Sequence, residues 1–226
     1  MAELPILYTV RMDFAPEVEE EANRWNNTDH VSDLLGAGFL SAARYRSVHG
    51  APSICHVYEL PSVDVLSSEA YVNVRKPDPR VAAGFSNHSV SVYSQVVAVN
   101  VPETPRSFAS PRSSTLGGVD ARYLMTVGMD VPPDSAEELV RWHREELIPN
   151  LLKAKGIANG RLCRRAGYHP VAPCLDPEWV AIFEMDSLEP LRDPIAQATG
   201  ETEWAKRMGA KISDKRFGAL ERIFPE

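Results

Sequence analysis

The sequence is poor in nearly everything that marks a familiar chemistry. Its three cysteines, Cys55, Cys163 and Cys174, are an odd number without CxxC spacing. A disulfide framework is therefore not expected, and a reducing, cytoplasmic setting is. The six histidines show no HxH, HxxxH or HExxH spacing, which leaves out the common metal motifs. There is no Gly-rich phosphate loop, no GxSxG and no haem-attachment motif. Nucleotide binding and serine hydrolysis are disfavoured, and no cofactor or metal is expected. Apolar runs fall far short of the roughly 20 residues that span a bilayer, and MAELPILYTV has neither a basic n-region nor a small-residue cleavage site, so no secretory signal is expected. Lys and Arg number 24 against 31 Asp and Glu, a balance that argues against a nucleic-acid-binding face.

What remains is 226 residues, 44% apolar and 24% charged, enough for a soluble domain with a sizeable core. Ile6 to Asp13 alternates as a strand, with Ile6, Tyr8, Val10 and Met12 on one face and Leu7, Thr9 and Arg11 on the other. Pro16 and the acids after it start a helix that stops around Gly36 and Gly38. Strands are expected over 39–48 and 53–60, a helix over 64–74 broken by Pro77 and Pro79, and a strand over 89–99. The order β-α-β-β-α-β is that of a ferredoxin-like unit.

The pattern then restarts. Leu7, Thr9, Val10, Met12 and Asp13 return as Leu124, Thr126, Val127, Met129 and Asp130, and Arg24-Trp25 as Arg141-Trp142, all displaced by 117. Farther on, Glu59, Ser62 and Leu66 return as Glu184, Ser187 and Leu191, displaced by 125, as if one loop had lengthened. These matches define an internal duplication. Residues 1–103 form a first ferredoxin-like repeat that carries the site. Residues 104–120 form an extended, poorly buried Pro/Ser/Gly linker, and residues 121–226 a second repeat that is mainly scaffold. The second repeat reads as strands over 122–131, 157–166, 178–186 and 215–224 with helices over 134–154 and 188–212. Helices on one face of a four-stranded sheet leave the other face apolar. The expected fold class is α+β, with the two antiparallel sheets packed into an α+β barrel and the helices outside.

Trp25, His30, Leu35, Gly38-Phe39 and Arg44-Tyr45 resemble a motif of the dimeric α+β barrel superfamily and, within it, of the EthD-like proteins. Ser32 and Ala37 stand where that motif usually has proline. Pro149 keeps the proline in the second copy, where Leu147 replaces the histidine. The fold resemblance covers nearly the whole chain, the motif about 20 residues of it. It implies a small, often aromatic or ring-forming substrate, with a pocket between the sheet and the helices of one repeat. Enzymes of this kind include cofactor-independent monooxygenases, muconolactone isomerases, polyketide cyclases and dehydratases, besides haem proteins.

Comparing the copies points to a site. His30 aligns with Leu147, His56 with Ala181, Tyr8 with Met125 and Tyr71 with Ala196, polar against apolar each time. Imidazole is the usual acid or base near neutral pH, so His30, His56 and Tyr71 are the catalytic candidates. The resemblance also implies a role for His30, and a cyclase subgroup of the olivetolic acid type resembles this chain in a histidine early in the third strand, here His56. Tyr8, Asn26, Asp29, Arg11 and His88 are candidates for substrate binding: a tyrosine for a carbonyl or enolate oxygen, Arg11 for a carboxylate, His88 at the pocket mouth. Arg44 and Arg46 are expected to pair with surface acids, and His143 and His169 to be exposed. The expected activity is acid/base chemistry next to a carbonyl or enol, as an isomerase, dehydratase or other lyase. Cofactor-free oxygenation of a phenol and a non-catalytic ligand-binding barrel are the alternatives. The expected partners are a small molecule and, for further association, a second copy of the chain, with neither nucleic acid nor membrane.

Overall fold

The computed structural model describes residues 4–100 and 119–225. In the first half, β1 (Ile6–Phe14) leads into α1 (Glu19–Trp25), a π-helical turn (Asn26–His30) and α2 (Val31–Gly36). Then come β2 (Ser41–His49), β3 (Ile54–Leu60), α3 (Glu69–Val74), α4 (Pro79–Ala82) and β4 (Phe85–Val99). The second half repeats this order: β5 (Tyr123–Asp130), α5 (Ala136–Trp142), a π-helical turn (His143–Leu147), α6 (Ile148–Leu151), β6 (Ile157–Gly167), β7 (Trp179–Met185), α7 (Pro194–Ala198), α8 (Glu203–Gly209) and β8 (Ser213–Phe224).

The eight strands form one closed antiparallel barrel in the order β1-β3-β2-β8-β5-β7-β6-β4. Each half contributes four neighbouring strands. The halves also hydrogen-bond edge to edge, β2 to β8 and β4 to β6. This goes further than two sheets packed face to face, because closure leaves no strand edge unpaired.

Alternation along each strand divides the side chains into two layers. Leu7, Tyr45, Cys55, Tyr93, Leu124, Cys163 and Leu220 fill one cluster. Tyr8, Val10, Met12, Tyr58 and Val90 face the other way and pack with Val31, Leu34 and Tyr71 of the helices. A separate cluster in the second half joins Met125, Ala181 and Phe183 to Leu139, Trp142, Ile148 and Met208. Gly38, at φ +102°, ends the first helical segment in a conformation other residues resist.

Pro79 and Ala82 bound a short helix where the prolines read as a pure break; Asp78 caps it by accepting from the Arg80 N–H. Most of the linker assigned to 104–120 lies outside the described residues. Its last two residues are not poorly buried. Val119 and Asp120 are enclosed, their N–H groups donating to the carboxylates of Glu59 and Glu184. Buried backbone donors need acceptors, and these two glutamates supply them. Among the described residues no helix is long and apolar enough to cross a membrane.

Candidate functional site

A cavity of about 490 Å³ opens between the helices and the outer sheet face of the first half, within the usual range for small-molecule pockets. Strand register sets its floor. One row reads Arg44, His56, Val10, Val90, and the next Ala42, Tyr58, Tyr8, Val92. The matching rows of the second half read Leu162, Ala181, Val127 and Gly160, Phe183, Met125. They are apolar and filled: a Cβ on Gly160 would lie 2.9 Å from the Phe183 ring.

His30 owes its position to the π-helical turn. Residues five apart on an α-helix point ~140° away from each other. Here the Val31 N–H bonds back to the Asn26 carbonyl, five residues earlier. The turn brings the His30 ring onto the Trp25 indole, centroids 4.5 Å apart and planes 20° from parallel. His30 lines the cavity, and its buried Nδ1 has no hydrogen-bond partner. Burial first, and the charge of Arg44 second, push its pKa down to about 4. It is a neutral imidazole with an unused lone pair at physiological pH.

Arg44 does not pair with a surface acid. It is fully buried and makes no ion pair among the described residues. Its Nε donates to His56 Nε2 at 3.2 Å, and its Nη atoms donate to the Asn23 carbonyl, Asn23 Oδ1 and Asn27 Oδ1. Asparagines on the adjoining turn of helix thus replace the acid that a buried guanidinium ordinarily requires. Burial lowers its pKa to about 10, which leaves it charged. Arg46 does find an acid, Glu19, at 2.6 Å.

The bond from Arg44 fixes the tautomer of His56. Nε2 accepts, so the proton sits on Nδ1 and is donated to Tyr58 Oη at 3.0 Å. With both nitrogens committed, His56 holds Arg44 and Tyr58 in place and has no lone pair for a substrate. His56→Ala should strand the guanidinium and cost about 2–3 kcal/mol in urea unfolding. Adding Arg44→Leu, which reproduces the Leu162–Ala181 pair of the second half, should recover most of that loss. Additive losses in the double variant would contradict the coupling.

Tyr8 and Tyr71 form the second polar group. The backbone N–H groups of Val171 and Ala172 donate to His169 Nδ1, at 3.2 and 2.9 Å. The His169 proton therefore lies on Nε2, which donates to Tyr71 Oη at 2.7 Å. Tyr71 and Tyr8 share a single hydrogen bond at 3.0 Å. Whichever phenol donates, one O–H of the pair has no acceptor among the described residues. Burial raises the pKa of both phenols, so they stay protonated. Burial, then the charges of Arg75 and His88, hold His169 at about 4.

His169 was expected to be an exposed loop residue and is instead buried in the cavity wall. It sits between β6 and β7, where the displacement between copies grows from 117 to 125. That lengthened loop crosses from the second half and is tied to β4. The Val90 N–H donates to the Pro173 carbonyl at 2.8 Å, and Ser89 and Ser91 each donate to Asp176 at 2.9 Å. The second half therefore contributes part of the cavity wall. His143, also expected to be exposed, is fully buried, its Nδ1 bonded to the Leu139 carbonyl at 2.9 Å. Asn26 makes the corresponding bond to Ala22, which commits its Nδ2.

Of the other candidates, Asn26 and His88 line the cavity. Asp29 is exposed and apart from it. Arg11 faces away, in an ion pair with Asp176 at 3.0 Å. Arg75 and Lys76, not singled out from the sequence, stand at the rim, and among the described residues no Asp or Glu lines the cavity. Among the described residues no cluster of His, Cys, Asp and Glu could hold a metal ion.

No family model matches the chain, and no curated protein does. Solved structures do. A protein named as a candidate monooxygenase from Fusobacterium nucleatum superposes with a TM-score of 0.62 at 12% identity, covering 99% of this chain and 94% of that one. An anthrone oxidase-like protein gives 0.63 at 12% identity, over 98% and 92%. A haem-binding protein of Thermus thermophilus gives 0.55 at 15% identity, over 98% and 92%. At these identities the likeness carries the fold, an α+β barrel, and nothing about chemistry.

Proposed function

We propose that this protein is a cofactor-independent enzyme of small-molecule catabolism or secondary metabolism that moves a proton beside a carbonyl or enol. The observation that carries the reading is a neutral, unpartnered imidazole, His30, in the same cavity as a tyrosine pair with one uncommitted O–H. His30 takes a proton from an acidic C–H or phenolic O–H. The oxygen that gains charge receives the free phenolic proton of Tyr8 or Tyr71 as a hydrogen bond, backed by His169. Returning the proton at another atom completes an isomerisation; loss of a leaving group completes a dehydration. The motif around Trp25 and His30 supports an EthD-like relative, and the strand orders β4-β1-β3-β2 and β8-β5-β7-β6 support a duplicated ferredoxin-like repeat joined near 104–120. Three free cysteines support a reducing cytoplasm.

A second reading, oxygenation of the same carbanion by O2, is favoured by the names of two structures with this fold, a candidate monooxygenase and an anthrone oxidase-like protein. Haem does not fit these residues. An axial imidazole is ordinarily oriented by a carbonyl or carboxylate at its other nitrogen. His56 and His169 have both nitrogens committed. Neither His30 Nδ1 nor His88, the remaining cavity histidine, has an orienting partner among the described residues. His143 has one in Leu139 but is fully enclosed.

The test uses anthrone, whose C–H beside the aromatic rings is acidic and whose enol is a phenol. Under nitrogen in D2O, NMR should show the protein accelerating deuterium wash-in at that carbon. Admitting air then separates the readings, since O2 consumption marks the oxygenase. Wash-in no faster than in buffer, for anthrone and for a panel of enolisable aryl ketones, would refute both.

A further inference from the structure

The charge around the cavity is one-sided. The chain carries a formal charge of −7, yet among the described residues no carboxylate lines the cavity, and Arg75 and Lys76 stand at its rim. A third cation, Arg44, lies buried behind His56. Arg75 is half-buried and makes no ion pair among the described residues. It lines the same cavity as Tyr8, Tyr71 and His169. The other buried or half-buried arginines among the described residues all find acceptors: carboxylates for Arg11 with Asp176, Arg161 with Glu184 and Arg222 with Asp120, and amide, backbone or phenol oxygens for Arg44 and Arg165. Arg75 departs from that pattern, beside an open cavity.

Apart from Asn26, the histidines and the tyrosine pair, the remaining lining is apolar or aromatic, with Trp25, Met12, Phe85, Val90 and Leu34. A ligand suited to this surface has a flat apolar body with anionic groups at one end. An uncommitted guanidinium beside donor hydroxyls matches a carboxylate, which accepts two parallel N–H bonds. We infer that the substrate is an aromatic or polyenolic carboxylic acid, its carboxylate held by Arg75 and its enolisable or phenolic oxygen held by the Tyr8–Tyr71 pair. Arg75, rather than Arg11, is then the carboxylate-binding residue. This inference rests on reading the cavity as the substrate site; it does not depend on which reaction follows.

Two fluorescent probes test it, 3-hydroxy-2-naphthoate and 2-naphthol, the same fused rings and phenol with and without a carboxylate. The wild-type protein should bind the naphthoate at least about tenfold more tightly than the naphthol. Arg75→Gln should abolish that preference and leave naphthol affinity unchanged, and Arg75→Lys should keep part of it. Circular dichroism confirms that each variant is folded, as expected for a side chain at the rim. Equal affinity for the two probes, no binding of either at millimolar concentration, or a preference that survives Arg75→Gln would overturn the assignment. The outcome is separable from catalysis. An Arg75-dependent preference without anthrone wash-in sinks the proposed reaction and leaves the ligand class standing. Wash-in without the preference does the reverse.

Discussion

Replacing His30 by leucine should slow anthrone wash-in by at least about 100-fold, the usual contribution of a positioned general base, while making the protein more stable. The two effects have one cause. His30 Nδ1 is buried without a hydrogen bond, and an unsatisfied buried polar atom costs about 1–3 kcal/mol. The second half has leucine, Leu147, at the aligned position, joined to an apolar cluster. Leu147 thus serves as the internal precedent for the substitution. A rise in melting temperature of a few degrees together with lost turnover is the signature of a residue kept for chemistry against stability. If turnover persists near the wild-type rate, His30 is not the base. The wild-type pH profile gives an independent check. A base held at about 4 should leave kcat/KM flat down to about pH 5 and bring it down only as pH falls through about 4. An unperturbed histidine would bring the decline near 6.5.

The second large effect is on folding. His30, His143 and His169 are each held at about 4, and His56 lies well below its ordinary 6.5. Burial is the leading cause in all four. The unfolded chain takes up these protons near pH 6.5 and the folded chain does not. Stability is therefore complete above 6.5, falls with pH between 6.5 and about 4, and levels off for each group below its folded pKa. For His143, enclosed on all sides, the loss is about 3 kcal/mol. His30, His56 and His169 act in the same direction, so the combined loss is a large share of the 5–15 kcal/mol by which domains are ordinarily stable. Acid unfolding is expected to begin well above the carboxylate range. His143→Asn tests this cleanly, because Asn26 already makes the same bond to the carbonyl four residues back. The variant should lose about 3 kcal/mol less than wild type between pH 6.5 and 4 in urea titrations. An unchanged pH slope would contradict the account.

Much of this was legible before the fold was known, and what was not has physical reasons. Strand alternation identified Tyr8 and His56 as inward-facing, since a residue's face follows from its parity along a strand, and the apolar duplicate Ala196 did the same for Tyr71 on α3. His30 was legible because its duplicate is apolar. Arg44 was not, because charge reads as surface unless its acceptors are known, and those are side-chain and backbone oxygens of Asn23 and Asn27 on a separate helix. The π-helical turns have no composition of their own, yet the first one places His30 against Trp25. His169 bonds to a tyrosine 98 residues earlier in the chain. Its only sequence signal was the lengthened loop, which marks an insertion without saying where it reaches.

The crossing of that loop has a consequence for how the protein comes into being. As synthesis proceeds, the first half emerges with His30, Tyr8 and Tyr71 already in sequence, but without the donor behind the tyrosines and without partners for the edges of β2 and β4. Those arrive with residues 157–224. A nascent or truncated chain therefore holds His30 and the tyrosine pair without His169 behind them, and the cavity wall is complete only when the ring is shut. Under the proposed function, turnover reports that β8 has been made.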